Sequence, residues 1–281
     1  MRTIGEILQL SKEFLDKKGV SGARLQAEEL LADLLACSRM DLYLDFDRPL
    51  QNIELDAYRE RLKRRSEHEP TQYIRGFVEF YSCRIELSPA VLIPRQETEI
   101  LLDLVVKRLE KQDLKGKVLW DVCCGSGCIA IALKKRFPDL TVFASDLSLE
   151  ALEVAKKNAD LNGVEVCFRQ GDLFEPFSGE SCHYFLSNPP YISESDYRCL
   201  EPEVSAFEPR GALLSGDTGF EFYERIAFDL KKHLRSGGEC FLEMGTGQGE
   251  EIKKIFSLSG WQNFRVLQDW SSHDRFFFLE N

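Results

Sequence analysis

Long stretches without a charged residue are missing from this sequence of 281 residues. Around its glycine-rich loop the longest such run, Val122 to Leu133, has 12 residues, whereas a helix that crosses a bilayer needs about 20. The start, Met1 to Glu6, also lacks the basic and apolar regions of a signal peptide. The sequence therefore predicts a protein without membrane contact that resides in the cytoplasm.

Positive charge is scarce as well. Lys and Arg number 36 against 47 Asp and Glu, which gives a net charge of −11. Binding to a phosphate backbone depends on a basic face, so we expect no direct nucleic-acid binding. One basic cluster, Arg61 to Arg65, lies on a predicted helix. Such a run is typical of a solvated helix face, and contact with a partner is the alternative.

Cysteine pairs with the spacing of a metal site or a redox motif are absent too. The nine cysteines are odd in number and none forms a CxxC motif. Cys167, Cys182 and Cys240 lie in apolar, strand-like segments, as free buried thiols do. We expect reduced cysteines, no zinc site and no other metal site.

What the sequence does contain is apolar material for a core, at 43% of residues. Residues 1–72 show only helical spacing, which predicts a small helical domain. Thr3 and Glu6 match a capping box for a first helix that stops at Gly19. Further helices are predicted over 23–36, 41–44 and 55–65. Residues 73–93 alternate like strands at 73–74, 77–81 and 83–87, which predicts a β-hairpin linker.

Residues 94–281 alternate between strands and helices. The predicted strands are 117–122, 141–145, 164–169, 183–186, 239–243, 264–268 and 275–279. The predicted helices are 97–111, 128–136, 149–161, 219–234 and 249–256. This order predicts a doubly wound, Rossmann-like α/β domain with a mixed, mostly parallel sheet.

The tetrapeptide Asn188-Pro189-Pro190-Tyr191 follows the apolar strand 183–186. Two prolines fix the backbone in an elbow and remove two donors, so the oxygens of Asn188 and Pro189 are left to accept hydrogen bonds. Such a pair of acceptors suits the NH2 group of a planar nitrogen, and Tyr191 adds an aromatic face. A strand-ending turn without chemistry is the alternative reading of the same residues.

Upstream, the strand 117–122 runs into Cys123-Cys124-Gly125-Ser126-Gly127 and then a helix, where open α/β sheets bind nucleotide-like ligands. Asp146 ends the next strand, at the distance from the loop expected of a ribose-binding carboxylate. Asp172 follows the third strand and could accept from an adenine amino group. Helix capping or a solvated loop position would explain Asp121 and Asp146 without a ligand.

NAD is the obvious competitor, but the loop reads C-C-G-S-G-C rather than G-x-G-x-x-G. Asp121 would repel a phosphate, whereas it could pair with the ammonium of S-adenosylmethionine. This charge match favours the methyl donor over a dinucleotide. His183 and His233 could be imagined as bases, but both lie in apolar periodic segments, which favours packed or surface residues.

In order along the chain, these residues resemble class I S-adenosylmethionine-dependent methyltransferases, and more closely the release factor glutamine N5-methyltransferases. The resemblance rests on Asp121-x-x-x-Gly125-x-Gly127, Asp146, Gly171-Asp172-Leu173-Phe174, the tetrapeptide 188–191, and supporting segments at 69–76, 92–99, 207–213 and 242–248. Cys123 and Cys124 depart from it, since the family loop usually opens with glycine and threonine.

The resemblance implies an enzyme that methylates the glutamine of the Gly-Gly-Gln motif in peptide chain release factors and releases S-adenosylhomocysteine. It also implies that the helical domain helps to hold the release factor, and we expect a monomer. The catalytic candidates are Asn188, Pro189 and Tyr191, and Pro190 joins them in substrate binding. The candidate cofactor-binding residues are Asp121, Cys123, Cys124, Gly125, Ser126, Gly127, Asp146, Asp172, Leu173 and Asn188.

Three other functions stay open at this point. A ribosomal-protein glutamine methyltransferase would use the same chemistry. A nucleic-acid adenine or guanine N-methyltransferase could use a similar elbow, although only 90 residues follow Tyr191 and they read as completion of the sheet. A non-catalytic binding module of the same fold would be consistent with Cys123 as the sign of a degraded loop.

Overall fold

The computed structural model describes residues 2–281. Its helices are α1 (Ile4–Lys17), α2 (Ala23–Leu34), α3 (Arg39–Leu44), α4 (Asn52–Ser66), α5 (Thr71–Arg75), α6 (Gln96–Leu109), α7 (Cys128–Arg136), α8 (Leu149–Leu161), α9 (Glu194–Tyr197), α10 (Pro202–Ser205), α11 (Arg210–Leu213), α12 (Glu221–Asp229) and α13 (Gly249–Leu258). Its strands are β1 (Phe77–Phe80), β2 (Cys83–Glu86), β3 (Val118–Val122), β4 (Thr141–Asp146), β5 (Cys167–Gln170), β6 (Cys182–Ser187), β7 (Ile192–Ser193), β8 (Leu214–Gly216), β9 (Leu234–Glu243), β10 (Phe264–Gln268) and β11 (Asp274–Glu280). None of the helices in this part of the chain has the length and apolar character needed to cross a bilayer.

The chain divides into two compact units, residues 2–77 with 201–207, and residues 78–200 with 208–281. The first unit contains α1 to α5 and α10. The predicted capping box is present, because the Thr3 side chain accepts from the Glu6 backbone and Glu6 reaches back to the Thr3 backbone. Leu15, Ala27, Leu30 and other buried apolar side chains form one core for this bundle.

One predicted strand of the first unit is wrong. Tyr73 and Ile74 lie in helix α5, where both are buried. Pro70 precedes this helix, and Gly76 ends it with a φ of 83°. Two adjacent buried residues fit one turn of helix, whereas a strand would turn them to opposite faces. The hairpin itself is confirmed, since β1 and β2 pair across a two-residue turn in which Tyr81 and Ser82 have positive φ.

A seven-stranded sheet organises the second unit, in the order β10-β11-β9-β6-β3-β4-β5. The strands β9, β6, β3, β4 and β5 are parallel, and β11 runs antiparallel to β9. The edge strand β10 pairs antiparallel with β11 and so points the same way as the parallel strands. The doubly wound, mostly parallel architecture predicted from the sequence is therefore confirmed. From β3 the chain adds β4 and β5 on one side and then returns to place β6 on the other. The edge between β3 and β6 is thus the switch point, where such sheets bind ligands.

Several boundaries differ from the predicted ones. Helix α12 ends at Asp229. Strand β9 begins already at Leu234, because a bulge against β6 accommodates residues 235–238. Strand β5 begins only at Cys167, which is exposed rather than buried. The short elements α9, α10, α11, β7 and β8 between 192 and 216 were not predicted at all.

Candidate active site

A cavity of about 400 Å³ opens at the carboxyl ends of β3, β4, β5 and β6. Seven of the predicted site residues line it: Cys123, Gly125, Asp146, Asp172, Leu173, Asn188 and Pro190. The other predicted residues, Asp121, Cys124, Ser126, Gly127, Pro189 and Tyr191, are not part of its wall. The cavity also has walls that the sequence did not suggest, built by residues 90–92, Leu147, Ser148, Ala151, Pro209, Gly211, Ala212 and Phe222.

The loop after β3 is tied to the end of β4. Gly125 N donates to Asp146 Oδ2 at 2.8 Å, and Cys124 N donates to the backbone oxygen of Ser145 at 2.9 Å. Gly127 has a φ of 76°, and a Cβ there would lie 3.0 Å from the Cβ of Ala155, so only glycine fits without strain. Cys123 adopts a φ of 61°, a left-handed conformation that costs a residue with a Cβ about 1–2 kcal/mol.

Asp121 lies behind this loop and is 1% exposed. Its Oδ2 accepts from Ala130 N in the first turn of α7 at 3.0 Å, so the carboxyl caps that helix. Its Oδ1 is buried and has no hydrogen-bond partner within residues 2–281. Burial, with the nearby charge of Asp146, raises the pKa of Asp121 to about 8. A cation that reached the free oxygen would relieve this cost, so both the capping and the ligand reading of Asp121 keep a basis.

Asp146 and Asp172 meet the cavity in different ways. Ser148 N donates to Asp146 Oδ1 at 3.0 Å, and burial raises the pKa of this carboxyl although the backbone donors of Ser148 and Gly125 oppose the rise. Each oxygen of Asp146 keeps a lone pair for a diol. Asp172 is more open and pairs with Arg225 at 2.7 Å. That ion pair leaves one Asp172 oxygen for a ligand group.

The elbow after β6 is held from behind. Asn188 Nδ2 donates to Thr98 Oγ1 at 3.3 Å, and Thr98 Oγ1 donates to Glu243 Oε2 at 2.7 Å. No hydrogen bond within residues 2–281 engages Asn188 Oδ1. The backbone oxygen of Tyr191 accepts from Gln248 Nε2 at 2.9 Å, and burial raises the pKa of the Tyr191 hydroxyl. The elbow thus presents an amide oxygen at the cavity and an aromatic ring packed beside it.

Two buried glutamates beside the cavity had no site role assigned from the sequence, although both lie in segments that support the family resemblance. Glu243 ends β9, is 1% exposed, and has a pKa raised to about 7, because burial outweighs the hydrogen bond from Thr98. Glu208 is buried, accepts from Ile93 N at 3.1 Å and pairs with Arg95. This pairing fixes the two walls at 90–92 and 209–212. The sequence signal that could have identified Glu243 is its position at the end of the apolar strand from Cys240 to Glu243.

The two histidines considered as bases are structural. His183 Nδ1 accepts from Val118 N at 3.0 Å, which ties β6 to the start of β3. His233 is 9% exposed and stacks on Phe174 with ring centroids 4.9 Å apart. His183 is half-buried and His233 is buried. Neither lines the cavity, which agrees with the expectation that they are packed or surface residues.

A cavity at the switch point of a doubly wound sheet, with acidic side chains after its strands, is typical of α/β proteins that bind a nucleotide-like ligand. Two solved structures share this fold: a methyltransferase from Pyrococcus furiosus (TM-score 0.53, 18% identity, covering 70% of this chain and 88% of that one) and the 16S rRNA N2 G1207 methyltransferase of Thermus thermophilus in complex with AdoMet and guanosine (TM-score 0.53, 16% identity, 73% and 49%).

Family models identify the chain more closely. The PrmC N-terminal domain matches residues 6–76, and the methyltransferase small domain matches residues 96–202. The release factor glutamine methyltransferase of Chlamydia trachomatis serovar D is 43% identical over 277 residues, which cover 98% of this chain and 93% of the relative. The release factor glutamine methyltransferase of Geobacter sulfurreducens is 38% identical over 273 residues, which cover 97% of this chain and 95% of the relative. The chain belongs to the release factor glutamine methyltransferase family.

Proposed function

We propose that this protein transfers the methyl group of S-adenosylmethionine to the side-chain amide nitrogen (N5) of the glutamine in the Gly-Gly-Gln motif of peptide chain release factors. The observation that carries the proposal is the amide of Asn188 at the cavity wall, with its nitrogen engaged by Thr98 and its oxygen unengaged. The near-full-length similarity to relatives named for this substrate supports it.

The residues around the cavity fit such a donor. Its volume of about 400 Å³ lies in the range of small-molecule sites. The unpartnered oxygen of Asp121 suits the ammonium of the methionine part, Asp146 suits the ribose diol, and Asp172 suits the adenine amino group. When bound, S-adenosylmethionine supplies a methyl on a sulfonium; the N–C bond forms as the S–C bond breaks, and S-adenosylhomocysteine remains.

The substrate glutamine presents a different problem, since the lone pair of an amide nitrogen is shared with its carbonyl. Asn188 Oδ1 and the backbone oxygen of Pro189 accept the two N–H bonds of the glutamine and so aim its lone pair at the donor. Pro190 and Tyr191 enclose the side chain. Such positioning can lower a barrier by about 7–11 kcal/mol. The same acceptors stabilise the positive charge that develops on nitrogen, and the proton then passes to solvent.

The test combines a purified release factor with labelled S-adenosylmethionine and mass spectrometry of the Gly-Gly-Gln peptide. We expect one added methyl group on glutamine. Asn188→Ala is expected to lower turnover by roughly 100-fold or more, as the loss of a preorganised electrostatic contact does, while the Kd for S-adenosylmethionine stays within about threefold. The exposed Asn263 provides the control, and Asn263→Ala should leave both quantities unchanged. Wild-type turnover in Asn188→Ala would contradict the assignment.

The same assay separates the other functions. If a ribosomal protein or an RNA is methylated and the release factor is not, that molecule would be the substrate. If calorimetry detects no binding of S-adenosylmethionine, the protein would be a non-catalytic binding module of the same fold.

A further inference from the structure

Three polar side chains from three separate segments form a hydrogen-bonded chain that runs from the cavity wall into the protein interior. Asn188 follows β6, Thr98 lies in the first turn of α6, and Glu243 ends β9. Thr98 is 3% exposed and Glu243 is 1% exposed. The distances are 3.3 Å from Asn188 Nδ2 to Thr98 Oγ1 and 2.7 Å from Thr98 Oγ1 to Glu243 Oε2. Helix α6 also packs through the buried apolar side chains of Leu101, Leu102 and Val105.

We propose that Thr98 and Glu243 are positioning residues that fix which end of the Asn188 amide faces the substrate, an inference that rests on the proposed function. The two ends of an amide have nearly the same shape, but one accepts hydrogen bonds and the other donates them. A rotation of half a turn would present an NH2 group to the NH2 group of the glutamine. Two donors cannot bind each other, so the orientation of this amide decides whether substrate is held.

Glu243 sets the direction of the chain. A carboxylate can only accept, so the Thr98 hydroxyl has to donate its single proton to Glu243. The lone pairs of Thr98 are then left to face Asn188, and they match only the Nδ2 end. Because Thr98 and Glu243 are buried and Asn188 is half-buried, a mismatch at the Thr98 hydroxyl would leave a buried polar atom without a partner, which costs about 1–3 kcal/mol. Oδ1 of Asn188 therefore remains at the cavity.

Protonation of Glu243 would remove this constraint. A neutral carboxyl can donate to Thr98, which could then donate to Asn188 Oδ1 and favour the rotated amide. Burial raises the pKa of Glu243 to about 7, and the charge of Glu97 assists the rise. Side-chain hydrogen bonds from Thr98 and Asn188 and the charge of Arg275 oppose it. The titratable or charged groups that face Glu243 are Glu97 on α6, Cys128 on α7, Tyr191 after β6, Tyr223 on α12 and Arg275 on β11. Methylation should therefore decline as the pH falls through about 7.

Thr98→Val and Thr98→Ser form a matched pair, because the first keeps the shape without the hydroxyl and the second keeps the hydroxyl. We expect Thr98→Val to lower kcat on a release factor by roughly 100-fold, the size of effect seen when a reacting group is misplaced. The Kd for S-adenosylmethionine should stay within about threefold. Thr98→Ser should restore kcat to within about threefold of wild type.

Glu243→Gln and a titration of the cofactor-free protein complete the test. Glutamine does not ionise and, like the protonated carboxyl, can also donate to Thr98. The kcat of this variant should therefore be lowered above pH 7 as well, and its decline below about pH 7 should disappear. NMR of 13C-labelled glutamate, assigned with Glu243→Gln, should show a carboxyl that titrates near pH 7 in wild type and at higher pH in Thr98→Val, which lacks the hydrogen bond.

The outcomes separate this inference from the proposed function. A wild-type protein that leaves the release factor unmodified would overturn the proposed function and the inference with it. A wild-type protein that methylates glutamine, together with a Thr98→Val variant of equal kcat, would overturn the inference alone. So would a Thr98→Ser variant as impaired as Thr98→Val, or a Glu243→Gln variant that keeps the decline at low pH.

Discussion

Asp121 offers the most demanding test of the site, because its two oxygens have opposite situations. One caps α7 through Ala130 N, and the other is buried without a partner. Asp121→Asn retains an oxygen that can cap the helix, but it removes the charge. We therefore expect the substitution to act in opposite directions on the stability of the cofactor-free protein and on its affinity for S-adenosylmethionine.

The magnitude follows from the pKa of Asp121, which burial raises from 3.8 to about 8. Because the folded pKa is raised, the stability contribution of this carboxyl is fully present below pH 3.8 and is lost as the pH rises to about 8. Each unit in that window corresponds to ~1.4 kcal/mol. Between pH 5 and pH 8, the free energy of unfolding of Asp121→Asn should therefore rise relative to wild type by ~4 kcal/mol.

Affinity should change the other way. The ammonium of S-adenosylmethionine would lose a charged hydrogen-bond partner worth ~1.5–3 kcal/mol, so its Kd should rise roughly 10- to 100-fold. In wild type near pH 7 the carboxyl is mostly protonated before the cofactor binds. Binding should then release a proton, which calorimetry in buffers of different ionisation enthalpy detects, and Asp121→Asn should release none.

Denaturant unfolding at several pH values and calorimetry measure both effects. The control is Asp139→Asn, at an exposed position, which should change neither quantity. A difference in unfolding free energy that does not depend on pH would refute the buried, uncompensated carboxyl. An unchanged Kd for S-adenosylmethionine would show that Asp121 only caps the helix.

Two further substitutions test the framework. Gly127→Ala combines a φ of 76° with a Cβ contact at 3.0 Å. It should lower the free energy of unfolding by about 1–2 kcal/mol or more and weaken S-adenosylmethionine binding. The control is Gly179→Ala, with a φ of 77° and open space around the Cβ, which should show the backbone cost alone. Arg65 is fully buried, pairs with the partly exposed Glu203 within the helical unit and donates to Gln26 and to the backbone oxygen of Glu69. Arg65→Ala should therefore lower the free energy of unfolding of that unit by about 1–3 kcal/mol. Arg59, which pairs with Asp56 at the surface, provides the control Arg59→Ala, and urea unfolding measures both variants; equal effects would contradict the role of burial.

The sequence predicted the elements around the glycine loop best. Helices α7 and α8 begin and end at the predicted residues, because Gly127 and Ser148 mark their starts and the apolar spacing is regular. The region 192–216 could not be predicted in the same way. Its helices have four residues each, and local spacing is uninformative at that length. The region is fixed instead by distant contacts such as that of Glu208 with Ile93 N, 115 positions away.

The same difference between local signals and distant contacts applies to the residues of the candidate site. Residues that directly follow a strand, such as Asp146 and Asn188, could be proposed because parallel strands share a carboxyl edge. The link from Thr98 to Glu243 spans 145 positions, and neither residue has a local pattern that predicts a partner. Arg65 shows the same limit. It was interpreted as part of a solvated cluster, yet it is fully buried, since the sequence does not reveal the position of Glu203.

The carboxyls near the carboxyl edge of the sheet together determine which ligand charge the site favours. Burial raises the pKa values of Asp121, Asp146 and Glu243 together, so the cofactor-free site carries carboxyls that resist ionisation. A phosphate ligand would add negative charge and increase that cost, whereas a cation would lower it by favouring the ionised forms. S-adenosylmethionine carries a sulfonium and an ammonium, and the departure of the methyl group leaves the sulfur neutral. The same carboxyls that favour the charged donor should therefore hold S-adenosylhomocysteine less tightly, which would help the product to leave.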